Sequence, residues 1–161
     1  MNSVDSALER LGIILPPAPK PVAAYVPFTR TTGSGGGGSI VFVSGQLPFK
    51  DGVLTCTGAV PTAVSVELAT VAARVCAINA LAVLRDACQG DLERVAQILR
   101  IGVFVQSSPG FDGQPKVANG ASELLAAVFG DAGKHARAAV GSVALPLNAT
   151  VELELMAELR G

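Results

Sequence analysis

The sequence predicts an α+β fold, a mixed β-sheet with two helices packed on one face. Three observations carry that expectation. The stretches 64–88 and 115–129 repeat apolar residues at spacings of three and four, the period that gives a helix one oily side. Five other runs, at 25–32, 40–44, 95–106, 137–144 and 150–159, carry strand signals. The resulting order is strand, strand, helix, strand, helix, strand, strand, which reads as helices segregated to one side of a sheet.

Val4, Leu8 and Leu11 share one helical face, so residues 4–11 read as a short helix. Pro16, Pro17, Pro19 and Pro21 then enforce an extended segment, because proline fixes φ and lacks a donor. A first strand is expected from Tyr25 to Thr32, and Ile40 to Ser44 (IVFVS) is a clear second one. Between them, Gly33, Gly35 and Gly38 formally match GxGxxG. A dinucleotide fingerprint needs a strand before it and a helix after it; here a strand follows, so a flexible hairpin loop is expected.

In 64–88, Leu68, Val71, Val75, Ile78 and Leu81 define the apolar recurrence, and Gly90 is placed to end the helix. The many alanines favour helix and permit close approach. The strand at 95–106 centres on IGVFV. In 115–129 the inner face is Val117, Ala121, Leu124, Leu125 and Val128, with Gly130 and Gly133 as stops. The last two strands are joined by a turn holding Pro146 and Asn148. No internal repeat or dividing linker is evident, so residues 1–161 read as one domain.

The 161 residues suffice for a core without disulfides or metals, since a chain near this length buries about 70% of its unfolded surface. Charged residues are 16% and apolar residues 50%, against roughly 25% charged in an average domain. Either subunit contacts cover part of the surface, or the chain simply carries an Ala and Gly bias. Net charge is −1 and no basic run occurs, so no nucleic-acid partner is expected. Cys56, Cys76 and Cys88 are odd in number and form no CxxC; they read as small buried residues in a reducing, cytoplasmic setting. With His135 as the only histidine, no metal site is expected. The N-terminus does not resemble a signal peptide, and no membrane-crossing helix is expected, because the longest uncharged stretch, Thr31 to Phe49, is broken by Gly and Ser.

The residues able to carry chemistry gather near the C-terminus. Arg137 opens a small-residue strand; a guanidinium is planar, always charged and able to grip a carboxylate through two parallel bonds. A surface ion pair is the plainer alternative. In VELELMAEL, alternation puts Val151, Leu153, Leu155, Ala157 and Leu159 on one face and Glu152, Glu154, Met156 and Glu158 on the other. That second face is either solvated or covered by a partner or ligand. His135 is either a neighbour of Arg137 on the same strand face or a loop residue before the strand.

Four blocks in this chain carry a resemblance. They are VFVSGQLPF (41–49), RIGVFV (100–105), KVANGASELLAAVFG (116–130), and Arg137 followed by Leu145-Pro146 and Val151-Glu152, the glutamate standing fifteen positions after the arginine. In this order they resemble the reactive intermediate deaminase family (RidA or YjgF, also known as L-PSP), as a divergent branch. The resemblance implies a trimeric, chorismate-mutase-like architecture with sites in clefts between subunits, residues 1–23 being an N-terminal extension. It implies hydrolysis of reactive enamines and imines derived from amino acids, giving 2-oxo acids and ammonia, without metal or organic cofactor. Arg137 matches the arginine that binds the substrate carboxylate, and Glu152 the glutamate that positions or activates water. Asn119 and Tyr25 match residues near the site, and Ser44 and Gly45 the strand end that lines the cleft.

The departures are Ala139, where the family often has cysteine, His135 and Val143, together with the glycine loop. Imine hydrolysis needs no protein nucleophile, so Ala139 does not bar it. Two other classes stay open: a non-catalytic small-acid binder, which would need Arg137 alone, and an endoribonuclease, ranked last for want of a basic patch and paired histidines.

Overall fold

The computed structural model describes residues 3–18, 24–31 and 38–161. The glycine-loop expectation at 32–37 and part of the proline segment, 19–23, lie outside the described residues. Helix α1 spans Val4–Arg10, capped by Ser3, whose Oγ accepts from the Ser6 amide at 3.1 Å. It buries Val4, Ala7 and Leu8.

A five-stranded sheet follows, built from β1 (Phe28–Arg30), β2 (Ser39–Gln46), β5 (Val95–Gln106), β6 (Ala136–Ser142) and β7 (Val151–Leu159), in the spatial order β1-β2-β7-β5-β6. Only β5 and β6 run parallel, joined through helix α3 (Gln114–Phe129); the other neighbours are antiparallel. The fold is thus α+β with a mixed sheet, and both long helices, α2 (Val66–Ala87) and α3, pack on one face of it. The first strand is shorter than the Tyr25–Thr32 expected; Tyr25 lies in a bend before it.

The alternation in β7 is borne out: Val151, Leu153, Leu155, Ala157 and Leu159 are buried under the helices, whereas Glu152, Glu154 and Met156 are half-buried on the opposite face. That open face also carries Phe42, 38% exposed, and an Arg100–Glu154 ion pair of 2.9 Å. Gly102 sits beside Glu154, where a Cβ would meet the carboxylate Oε1 at 2.6 Å.

Helix α2 keeps Leu81 of the expected apolar face buried and packs Ile78 against the core, but differs from expectation in its first half. Leu68 and Val71 are 60% and 57% exposed, while Ala69, Ala72, Ala73, Cys76, Ala77 and Ala80 are buried. Small residues let the helix lie close to the sheet and to α3, which outweighs the larger side chains' preference for burial. Gly120 of α3 marks the closest approach, since a Cβ there would run into the Thr70 carbonyl oxygen. By length and apolar composition α2 would also suffice to cross a bilayer, contrary to the expectation of no such segment. In this fold its alanine stripe and Leu81, Val83 and Leu84 are core.

A small hairpin, β3 (Phe49–Lys50) and β4 (Val53–Leu54), turns on Asp51 and Gly52, both at positive φ. The Asp-Gly pair that favours this turn is plain in the sequence, although no hairpin is expected there from the strand signals. Buried Asn79 of α2 fastens the hairpin, its Nδ2 donating to the Leu47 and Phe49 carbonyls, both at 2.9 Å. Burial pushes the Cys88 thiol up to about 11 and the Cys76 thiol well above its ordinary value, which suits packing rather than thiolate chemistry.

Candidate functional site

The residues singled out in the sequence separate into two groups on opposite faces of the sheet. In β6, Arg137 pairs with Ile101 and Ala139 with Val103, both buried under the helices, so Arg137 is on the helix side at the sheet edge. In β7, Glu152 pairs with Phe104 and shares the open face. Two strand spacings and three residue rises put the two Cα atoms about 14 Å apart. One chain therefore does not bring Arg137 and Glu152 together.

The first group surrounds Arg137. Its Nη1 donates to Asn119 Oδ1 at 2.9 Å and to Ser122 Oγ at 3.1 Å. These two partners lie three residues apart on α3, one helical turn, and so point the same way. Among the described residues no carboxylate lies within ion-pairing distance of Arg137. Its partners are neutral oxygens, so the surface ion pair considered from sequence is not formed among the described residues.

His135 precedes β6 by one residue, and its ring joins this group. Nε2 is 3.0 Å from Ser122 Oγ and Nδ1 is 2.6 Å from the Gly133 carbonyl. It is both a residue of the turn before the strand and a neighbour of the arginine. A surface cavity of about 290 Å³ lies here, lined by Ser122, Ala126, Gly133, Lys134, His135 and Arg137. Ser122 is the residue that sequence reasoning missed; its place one turn after Asn119 was the available signal.

The second group surrounds Glu152. A bulge in β2 between Val43 and Gln46 lets Gly45 approach it so closely that a Cβ would collide with the Glu152 carboxylate. Ser44 Oγ donates to the Val26 carbonyl at 2.7 Å, which ties the segment carrying Tyr25 to the end of β2. Tyr25 itself is exposed. Burial, and secondarily the charge of Glu154, hold the Glu152 carboxyl above its ordinary value. A carboxylate so placed is a stronger base than one in water.

The structure thus gathers Asn119, Ser122, His135 and Arg137 on the helix side of the sheet and sets Gly45 against Glu152 on the open face, with Ser44 tying the segment after Tyr25 to the end of β2.

Comparison with known proteins agrees with this fold. Residues 5–159 match the family described as "YjgF/chorismate mutase-like, putative endoribonuclease". Protein TCP17 of Trypanosoma cruzi is 42% identical over 157 residues, 97% of this chain and 94% of that protein. The crystal structure of Atu1372 from Agrobacterium tumefaciens, a protein of unknown function, superposes with a TM-score of 0.87 at 43% identity, covering 97% of this chain and 92% of that one. A "putative endoribonuclease" from Shewanella oneidensis MR-1 superposes with a TM-score of 0.90 at 33% identity, covering 98% and 100%. On the match of nearly its whole length and on these relatives, the chain belongs to the YjgF/chorismate mutase-like family.

Proposed function

We propose that this protein hydrolyses reactive imines and enamines derived from amino acids, giving 2-oxo acids and ammonia. In this reading it is a cytoplasmic homotrimer whose clefts join the Arg137 half-site of one subunit to the Glu152 half-site of the next. The observation that carries the proposal is an arginine held by neutral oxygens at an exposed edge, with its charge uncommitted among the described residues. The uncovered sheet face, with Phe42, Met156 and Glu152, supports the assembly, because a neighbouring subunit would bury it.

The chemistry follows from the two half-sites. Arg137 takes the substrate carboxylate by charge-assisted bonds and holds the adjacent C=N carbon in place. That carbon is already electrophilic once its nitrogen is protonated. Glu152, with its carboxyl held above the ordinary value by burial, accepts a proton as water adds to the carbon. Returning the proton to nitrogen lets ammonia leave as the carbonyl forms. The reaction is redox-neutral, so it asks for no cofactor.

The family description names an endoribonuclease. Phosphodiester cleavage is commonly served by a paired general acid and base with cations on the phosphate. This chain has one histidine, and its twelve lysines and arginines are scattered, which favours a small carboxylate over RNA. A non-catalytic carboxylate binder would use Arg137 without Glu152.

The test is ammonia release from imino acids generated freshly in the assay, with light scattering beside it. Release above the spontaneous rate by a trimer is expected. A stable monomer at micromolar concentration overturns the shared cleft, and absence of release overturns the deaminase reading.

A further inference from the structure

The cationic half-site contains a hydrogen-bond chain whose direction follows from its end. His135 Nδ1 is 2.6 Å from the Gly133 carbonyl. A carbonyl oxygen only accepts, so Nδ1 carries a hydrogen in either protonation state. In the neutral ring, Nε2 is then a bare lone pair. Ser122 Oγ, 3.0 Å away, must donate to it. The same oxygen accepts from Arg137 Nη1 at 3.1 Å. The only hydrogen of the serine hydroxyl is therefore committed to His135.

Protonation of His135 reverses one link of this chain. Nε2 becomes a donor, and Ser122 Oγ accepts from Nε2 and from Arg137, which fills both lone pairs. Its own hydrogen is then released and can turn toward the cavity of about 290 Å³ beside it. No carboxylate is among the residues that line this cavity.

The charged groups around the ring are few. Arg137 follows it on β6, and Lys134 precedes it in an ion pair with Asp131 of the 130–133 turn at 2.7 Å. Helix α3 presents Ser122 and Ala126, and β5 presents Gln97, whose Nε2 donates to the Lys134 carbonyl at 2.5 Å. One proton thus adds a positive charge and a hydroxyl donor to the wall that already carries Arg137 and the ion-paired Lys134.

We propose that Ser122 and His135 belong to the carboxylate site of Arg137, and that this site takes up a proton when it binds a small carboxylate such as a 2-oxo acid. The inference rests on Arg137 being the carboxylate grip. Its consequence is reciprocal. The anion binds more tightly to the form with His135 protonated, and the bound anion in turn favours that form.

The experiment is calorimetric titration of pyruvate into the wild-type protein at about pH 8 and about pH 5.5, where pyruvate is ionised throughout. One charge-assisted hydroxyl bond and one added charge correspond to binding at least about ten-fold tighter at the lower pH. His135 is the only histidine, so its ring signals in NMR report its titration without ambiguity, and pyruvate should move the midpoint upward. His135→Asn keeps a donor for the Gly133 carbonyl but takes up no proton, so it should bind as wild type does at about pH 8 and fail to tighten at about pH 5.5. Ser122→Ala should tighten less than wild type. Glu152→Gln removes the other carboxyl of the cleft that titrates, so tightening that remains in this variant and is absent from His135→Asn belongs to the imidazole.

Wild-type affinity that is equal at both pH values, or tightening that persists in His135→Asn, overturns the inference. If ammonia is still released and pyruvate still depends on Arg137, that result removes the inference alone and leaves the deaminase reading standing. Absence of pyruvate binding at either pH, or binding that survives Arg137→Ala, overturns the inference together with the arginine grip beneath it.

Discussion

Arg137→Lys separates the shape of the cation from its charge. Asn119 Oδ1 at 2.9 Å and Ser122 Oγ at 3.1 Å both engage Nη1, fixing the guanidinium plane. The remaining N–H groups are then pre-aimed, and a carboxylate meeting them takes two parallel bonds of roughly 1.5–3 kcal/mol each. Lysine keeps the charge but offers a single point, and it has no planar fork for α3 to orient. Loss of one bond predicts pyruvate binding weaker by about 10- to 150-fold, and Arg137→Ala, which loses both, should be weaker still. The side chain is exposed at a sheet edge, so stability should change by no more than about 0.5 kcal/mol and Tm should scarcely move. Calorimetry with a thermal melt on each variant makes the comparison. A lysine variant within about two-fold of wild type in Kd would refute the argument from the fork, and an alanine variant with wild-type affinity would remove Arg137 from the site.

Glu152→Gln should keep pyruvate binding while ammonia release falls by roughly 10²-fold or more, because size and hydrogen bonding survive and the base does not; unchanged release would assign the water to another group. The same variant should melt higher than wild type near neutral pH. A carboxyl whose folded value is raised, first by burial and then by Glu154, destabilises the fold when ionised. The gain should shrink as pH falls through the folded value and vanish below the unfolded one; a gain that grows in acid would contradict this sign. Gly120→Ala sets two terms against each other: helix propensity gains about 1 kcal/mol, whereas the new Cβ collides with the Thr70 carbonyl at the α2–α3 contact. Backbone shifts of that kind cost about 1–3 kcal/mol, so a net fall in Tm of up to a few degrees is expected by thermal denaturation, and a rise would show that the helices separate freely.

Much of the fold was legible because its signals are local. In β7 every second residue from Val151 to Leu159 is buried, as the period of two requires. In α3 the expected inner face, Val117 through Val128, is the buried one. Helix α2 was legible as a helix but not in the orientation of its first half. Periodicity marked the Leu68–Val71 side, while a stripe of alanines ran along the other. Which stripe turns inward depends on how closely the sheet and α3 can approach, and that distance is set by Gly120 and the alanines together. The β3–β4 hairpin rested on an Asp-Gly turn whose flanking strands are two residues each, too short for alternation to register.

By itself the sequence determined the class of fold, the strand and helix order, and the identities of Arg137, Glu152, Asn119, Tyr25, Ser44 and Gly45 as residues to watch. The fold order, Arg137 and Glu152 stand out by chemistry carried within a few neighbours along the chain, whereas Asn119, Tyr25, Ser44 and Gly45 were marked by the resemblance of their blocks to the family. Only the tertiary structure decided that Arg137 and Glu152 lie on opposite faces of one sheet, and that Ser122 and His135 stand beside the arginine. Alternation fixes faces within a strand, but the relation between β6 and β7 is set by the register each makes with β5, which lies between them. That register comes from long-range packing, and no spacing along the chain encodes it.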